Sequence, residues 1–289
     1  MSLHSETSAA PLLAVSATSL LLIVCVACIG GTAHVDVVRA QDRVTTPETV
    51  NHARFDRVLT EYVDAAGFVD YARLQAHADS LLRPYLQQLA ETDPAALDRE
   101  ARLAFWINAY NAYTIKLILD HYPVESINDI KPGAGPAVPK VNSPFKLDVG
   151  EVAGKVRTLD EIEHGIIRER FDEPRIHFAL VCAAVSCPRL RKEAYTGDRL
   201  NDQLDDQART FLHDTDKNVV PAGEERVALS RIFKWFDEDF GGSSGSIQRF
   251  IAPYFDGNVR TNLEQAGYDV SYREYDWSLN DQSRQADGR

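Results

Sequence analysis

A long apolar helix near the middle of the chain constrains the fold more than any other feature. Helical periodicity predicts it from about Ala95 to His121. Mostly apolar residues cover one face of this helix and much of the opposite side: Leu103, Phe105, Ile107, Tyr110, Ala112, Thr114, Ile115, Leu117 and Leu119. Because a helix that is apolar nearly all round is buried, we expect the rest of the domain to pack around this one.

The other periodic segments predict an α+β fold, namely a mainly helical single domain with a small antiparallel sheet and hairpins. Further helices are predicted over residues 50–66, 71–90 (interrupted near Pro84), 158–170, 200–212, 230–240 and 247–254. Strands are predicted over residues 145–149, 155–157, 176–182, 219–220, 227–229 and 268–275.

The first forty residues predict export from the cytoplasm. No charged residue occurs from Thr7 to Ala33, and such a stretch fits a cleaved signal peptide, an uncleaved membrane anchor or a lipoprotein signal. The absence of Lys and Arg before Arg39 disagrees with all three alternatives. We expect a periplasmic or cell-envelope protein, attached to the membrane through this segment in the anchored alternatives.

The chain divides into four parts by composition. We expect a signal peptide or membrane anchor over residues 1–40, a linker over 41–47, one domain over 48–277 and a disordered tail over 278–289. The formal net charge of -12 disfavours binding to nucleic acid. Glycine-rich phosphate motifs and close metal-ligand spacings do not occur, so we expect no cofactor and no metal.

Four residues with catalytic chemistry lie within twenty positions: Glu163, His164, His177 and Cys182. A cysteine is an effective nucleophile when an imidazole lowers its pKa and a third group orients that imidazole. His177 and Cys182 differ by five positions, which places them on opposite faces of a regular strand. The sequence therefore does not choose between His164 and His177 as the base.

Three other interpretations of Cys182 stay open. A buried cysteine in an apolar segment is usually a small core residue. Cys182 and Cys187 could form a disulfide in an oxidising compartment, and that bond would block a resting nucleophile. A set of His, Cys and Glu could also bind zinc, although no close spacing supports it.

Four polar residues are candidates for substrate binding. Asn108 and Asn111 lie inside the long buried helix, so their amides either pin nearby loop backbone or line a site. Arg175 is close in sequence to the Glu163 carboxylate, and Arg189 could receive the carboxylate of a substrate. Arginines in such positions more often make surface ion pairs.

Four runs of sequence carry a family resemblance: 105–111 (FWINAYN), 159–168 (LDEIEHGIIR), 174–182 (PRIHFALVC) and 186–188 (SCP). In this order they resemble domain-of-unknown-function family 547, which occurs in bacterial envelope proteins and at the end of some plant and animal proteins. The resemblance covers roughly residues 100–240. It implies that the Asn, Glu, His and Cys candidates stand at signature positions, with Val181 where an Asn is expected, and it brings no established reaction.

The leading hypothesis from the sequence is a thiol-dependent hydrolase or acyl-transferase that acts on a peptide or amide bond. Cys182 attacks the carbonyl, one of the two histidines is base and then acid, and Glu163 orients the imidazole. Asn108 or Asn111 braces the site or donates to the oxyanion. We also expect a likeness to papain-like or transglutaminase-like thiol enzymes. The alternative is a non-catalytic envelope domain that binds a peptide-like or small-molecule ligand.

Overall fold

The long central helix is present in the structure, a computed structural model that describes residues 49–131 and 143–286. It is α4, Arg99–Leu119, and the Asp98 side chain caps it by accepting a hydrogen bond from the Ala101 N–H at 2.7 Å. Nearly every side chain from Leu103 to Leu119 is buried. The expected burial of this helix on all sides is thus confirmed.

The described residues are mainly helical with small two-stranded sheets, as an α+β fold requires. The α-helices besides α4 are α1 Ala53–Tyr62, α2 Tyr71–Gln75, α3 Ala78–Glu91, α5 Leu200–Leu212, α6 Ile232–Trp235, α7 Ser244–Ile251, α8 Gly257–Glu264 and α9 Gln282–Ala286. The strands are β1 Asp148–Val152, β2 Lys155–Thr158, β3 Arg226–Leu229 and β4 Asp269–Tyr272. These elements belong to a compact unit, Thr46–Arg289.

The signal or anchor segment, the whole linker and the last three residues lie outside the described residues. No helix in the part of the chain that the structure describes has the length and apolar character needed to cross a membrane.

Two hydrophobic cores form within the described residues. The larger one surrounds α4 and includes α1, α3 and the segment from Ala179 to Ala184. The smaller one packs the end of α5 against β3, α6, α7 and α8, with Phe178 at its centre among aromatic rings. Residues 178–182 therefore pass from one core to the other, and Tyr275 packs against both.

The strand predicted over residues 176–182 is not formed. Pro174–Phe178 is a 3₁₀-helix, and the chain continues without regular structure to Cys187. The segment is buried as expected, but the Asn111 side chain on α4 takes the hydrogen bonds that a neighbouring strand would make, at Ala179 O and Val181 N. An apolar run alone does not distinguish these outcomes.

The helix that follows the capping residue Thr158 winds differently from the α-helix that was expected. The Thr158 Oγ1 accepts a hydrogen bond from the Glu161 N–H at 3.0 Å, as a capping residue does, but the helix that follows, Glu161–Arg168, is a π-helix. Such i→i+5 segments are rare and frequently occur at functional sites. Here the π-helix carries the consecutive residues Glu163 and His164, and both are partly buried.

Smaller predictions were right in type and wrong in detail. The first hairpin forms as β1 and β2, but β3 pairs in parallel with β4, and Val219 makes only a single antiparallel bridge to Ala228. The interruption predicted near Pro84 lies at residues 76–77, and Pro84 is inside α3. The tail is not disordered from residue 278, because Leu279, Asn280 and Asp281 are buried and α9 follows.

Candidate functional site

A pocket of about 240 Å³ opens where the two cores meet. Tyr110 and Leu180 of the larger core and Ile232 and Phe236 of the smaller core form part of its wall. The structure brings four residues of the sequence-based hypothesis together in this pocket: Glu163, His164, His177 and Cys182.

Cys182 in this structure is joined to Cys187 by a disulfide, with the two Cα atoms 6.2 Å apart. The two residues differ in their access to solvent. Cys182 lines the pocket and is partly buried, whereas Cys187 is only 2% exposed and does not line it. A molecule in the pocket can therefore approach Cys182 directly, while Cys187 lies behind it. In this oxidised state Cys182 has no free thiol to act as the nucleophile of a hydrolase.

Three hydrogen-bond donors surround the Cys187 sulfur. The backbone N–H of Cys182 donates to it at 3.1 Å and that of Ala184 at 3.4 Å. The Tyr275 hydroxyl lies 3.2 Å from the same sulfur and 3.1 Å from the Cys182 sulfur. Ala183, between the two N–H groups, has φ +58°, and such left-handed turns form concave anion-binding nests.

Tyr275 keeps its proton over a wide pH range. Burial, and then the charge of Glu163, raise the pKa of Tyr275 well above its usual value. Its hydroxyl is therefore a donor toward the sulfurs at physiological pH. A disulfide sulfur is a weak acceptor and a thiolate is a strong one, so this set of donors favours a negative charge on Cys187.

Asn111 holds the backbone that leads to Cys182. Its amide nitrogen donates to Ala179 O at 2.9 Å and its oxygen accepts from the Val181 N–H at 2.9 Å. Asn108 makes the same bidentate contact with the backbone of Tyr195, at 2.7 and 2.9 Å. Neither asparagine lines the pocket. Both amides therefore pin loop backbone, and Asn111 holds the segment that leads to Cys182.

The two histidines are oriented by Asp239 and Arg168 rather than by Glu163. His177 Nε2 lies 2.6 Å from Asp239 Oδ2, and the same carboxylate receives two hydrogen bonds from Arg168, at 2.6 and 2.8 Å. Arg168 also donates to His164 Nδ1 at 2.9 Å. Hydrogen bonds first from His177 and then from Arg168 hold the pKa of Asp239 well below its usual range, although burial opposes them.

These contacts set the hydrogen-bonding role of one nitrogen in each ring. A carboxylate only accepts, so His177 donates from Nε2; a guanidinium only donates, so His164 accepts at Nδ1. His177 is also stacked on Phe236, with the ring centroids 4.0 Å apart. Both imidazoles are therefore held in place at the pocket, but the predicted Cys, His and Glu relay is not formed, because Glu163 orients neither ring.

Glu163 lies instead beside Tyr110 on α4. Burial, and then the charge of Glu163, hold the pKa of Tyr110 well above its usual value. Asp160, one turn earlier, lines the same pocket. The pocket is thus lined by two carboxylates and by several aromatic rings, among them Trp235, Phe236, Tyr275 and Trp277.

The two predicted substrate-binding arginines lie outside this pocket. Arg175 is committed to Glu173 at 2.7 Å and to Asp205 at 2.9 Å. Arg189 is 40% exposed at its side chain and lies 3.6 Å from Asp214. The adjacent residue Pro188 lines the pocket, but the Arg189 side chain belongs to a separate surface depression. Arg189 therefore makes the surface ion pair that was the alternative, whereas the ion pair of Arg175 with Glu173 is partly buried.

The zinc site considered from the sequence has no set of ligands in the part of the chain described by the structure. No group of three or more His, Cys, Asp or Glu side chains there is arranged to hold a metal ion.

A known protein family matches the part of the chain that contains most of the sequence runs around this pocket. Residues 94–212 match the model of the family described as "Protein of unknown function, DUF547". The family resemblance is confirmed. The DUF547 match includes the π-helix, the cysteine pair and Asn111, and it ends before the 240 boundary that was expected. No curated protein and no solved structure matches the chain, so the expected likeness to papain-like enzymes gains no support.

Several residues that line the pocket or orient its side chains escaped the sequence analysis. Asp239 and Tyr275 lie 62 and 93 positions from the groups they contact, His177 and Cys182. Both lie beyond the DUF547 match, as do Trp235 and Trp277. The only signal in the sequence was the aromatic content of the segments that contain them, and it could not indicate which groups they contact.

Proposed function

We propose that the protein is a thiol–disulfide exchange protein whose reactive sulfur is Cys182. The observation that carries this proposal is the asymmetry of the disulfide. The Cys182 sulfur faces a pocket, whereas the Cys187 sulfur is buried and surrounded by three donors. Exchange needs access to one sulfur and stabilisation of the departing one.

The first step is attack by a substrate thiolate on the Cys182 sulfur. A bond forms between the substrate sulfur and Cys182, the Cys182–Cys187 bond breaks, and its electron pair leaves on Cys187. The thiolate so formed accepts hydrogen bonds from two backbone N–H groups and from Tyr275. Since a better stabilised leaving group departs faster, the nest favours this direction of cleavage.

A second thiolate completes the exchange. It attacks the substrate sulfur of the mixed disulfide, releases a substrate disulfide and leaves Cys182 as a thiolate, so that two substrate thiols are oxidised and the protein gains two electrons. The reduced protein returns these electrons to another disulfide by the reverse steps. Thiols and disulfides of peptides or small molecules are the only co-reactants required.

The expected location supports this chemistry. Disulfides persist in oxidising compartments such as the bacterial periplasm, and the N-terminal apolar segment fits export to the cell envelope. We propose that the protein works there, on peptide-like or small thiols.

A thiol hydrolase or acyl-transferase is the second candidate. It is favoured by one specific observation, that two oriented imidazoles and Glu163 line the same pocket as Cys182. This activity requires prior reduction of the disulfide, because only a free Cys182 thiolate attacks a carbonyl.

The test measures turnover with a disulfide-bonded peptide and a small thiol, followed by release of the peptide thiol. We expect the oxidised protein to accelerate exchange with multiple turnovers, and Cys182→Ala to abolish it. If the folded protein's disulfide is inert while the urea-unfolded chain reacts readily, the bond is a structural link and the non-catalytic binding domain is the better account.

Cys187→Ala separates the two candidates, because it leaves Cys182 as a permanent free thiol. Exchange predicts that this variant, mixed with the disulfide-bonded peptide and no added thiol, stalls as a mixed disulfide on Cys182, because Cys187 is the internal thiol that releases the peptide in the reverse steps. Hydrolysis predicts that the same variant cleaves an activated ester or amide without added reductant, faster than oxidised wild type does.

A further inference from the structure

Three aromatic side chains form a cluster on the wall of the pocket beside the sulfurs. The centroid of the Tyr275 ring lies 4.7 Å from that of Trp235 and 4.7 Å from that of Trp277, and the two indoles are 5.8 Å apart. Trp235 is 44% exposed, although burial is the usual state of so large an apolar side chain. A ligand that reaches Cys182 therefore meets indole and phenol rings.

The carboxylates of Asp160 and Glu163 line the same pocket without firm cationic partners among the described residues. The nearest cation to Asp160 is Lys146 at 3.9 Å, and this pair is exposed to solvent, where such contacts contribute little. Arg168 feels the charge of Glu163, but its guanidinium is bound to Asp239 at 2.6 and 2.8 Å. The positive charge of Arg168 is thus offset by Asp239.

We propose that this pocket selects thiols that carry a positive charge near the sulfur, and that the substrate is a peptide cysteine flanked by Lys or Arg. Aromatic faces attract cations through their quadrupole, and nearby carboxylates attract them by Coulomb's law, more strongly in a partly desolvated site. The same groups repel a thiol that carries a carboxylate. This inference rests on the proposed exchange at Cys182 and names its substrate class.

The test compares three small thiols of similar size: cysteamine, which is cationic, 2-mercaptoethanol, which is neutral, and 3-mercaptopropionate, which is anionic. Rates of disulfide cleavage are measured at low ionic strength and equal thiolate concentration, since the thiolate is the reacting species. The reference is a synthetic oxidised peptide of residues 180–189, which has the same disulfide without the pocket.

We expect the folded protein to prefer cysteamine over 3-mercaptopropionate by about tenfold relative to the peptide, as an attraction of this kind provides. Glu163→Gln should remove most of this preference. Glu169→Gln, the matched control, changes the charge equally at an exposed residue just after the π-helix and should leave the preference intact. An equal rate ratio in protein and peptide overturns the inference.

A binding measurement without sulfur chemistry separates this inference from the proposed function. Benzyltrimethylammonium should change the tryptophan fluorescence of the oxidised protein, and Trp235→Leu should weaken its binding about two- to fivefold, the range of a cation–π contact at an exposed site. Cation binding without any thiol exchange would refute the exchange function and leave the site. Exchange without charge preference and without cation binding would refute the site and leave the exchange.

Discussion

Replacing Tyr275 by Phe removes one hydroxyl from the sulfur pair and keeps the aromatic ring that packs against Trp235 and Trp277. In the oxidised protein the hydroxyl contacts only disulfide sulfurs, which are weak acceptors. In the reduced protein the same hydroxyl donates to a thiolate, and a hydrogen bond to a charged group contributes about 1.5–3 kcal/mol. The substitution therefore destabilises the reduced state more than the oxidised one.

This difference converts into a reduction potential. For a two-electron couple about 1.4 kcal/mol corresponds to 30 mV, so we expect the potential of Tyr275→Phe to fall by roughly 30–65 mV. The disulfide becomes harder to reduce, and exchange becomes slower because the leaving thiolate is less stabilised.

The assay equilibrates the protein with a series of thiol and disulfide mixtures, quenches with an alkylating reagent and measures the reduced fraction by mass. Tyr272→Phe is the matched control, since it removes a hydroxyl from the same C-terminal region, on β4, without touching either sulfur. A Tyr275→Phe potential equal to that of wild type, or a higher one, would refute the role given to this hydroxyl.

Three further predictions concern stability. Asn111→Ala and Asn108→Ala each leave buried backbone groups unpaired, so each should lower the free energy of unfolding by about 2–4 kcal/mol in urea titrations. Only Asn111→Ala should also change the rate of exchange at Cys182. Equal exchange rates in the two variants would contradict the positioning role of Asn111. Burial lowers the pKa of His52 from 6.5 to about 4. Because the unfolded chain therefore binds this proton first as pH falls, the free energy of unfolding should decrease by about 3 kcal/mol between about pH 6.5 and pH 4. His52→Gln should flatten the plot of unfolding free energy against pH in this range, and an unchanged slope would contradict the role of His52. Cys187→Ala should cost about 2 kcal/mol by loss of the short disulfide loop, and a loss well above that in thermal or urea unfolding would indicate a mainly structural bond.

The central helix and its asparagines show what the sequence could predict. The apolar surface around α4 required burial on all sides, and a buried amide requires partners. Both conclusions follow from composition along one helix, so they needed no tertiary information. The partners themselves, Ala179 and Val181 for Asn111, lie 68 and 70 positions away and could not be named.

The cysteine segment shows where the sequence was insufficient. Residues 176–182 are apolar in the manner of a buried strand, and they were placed in one for that reason, yet their backbone bonds go to a side chain. Asp239, which orients His177, and Tyr275, which contacts the sulfurs, come from distant segments of the chain. Side-chain chemistry therefore identified four residues that line one pocket, Glu163, His164, His177 and Cys182, whereas periodicity assigned the wrong structure to the segment that carries His177 and Cys182.

The most direct test of the account traps the first intermediate. Oxidised wild-type protein is mixed with a limiting amount of a labelled peptide thiol, quenched with an alkylating reagent, and mapped by mass spectrometry without reduction. Exchange at Cys182 should place the peptide on Cys182 and the alkyl group on Cys187, under conditions where the protein stays folded. A peptide attached to Cys187, or no adduct until the chain is unfolded, would contradict it.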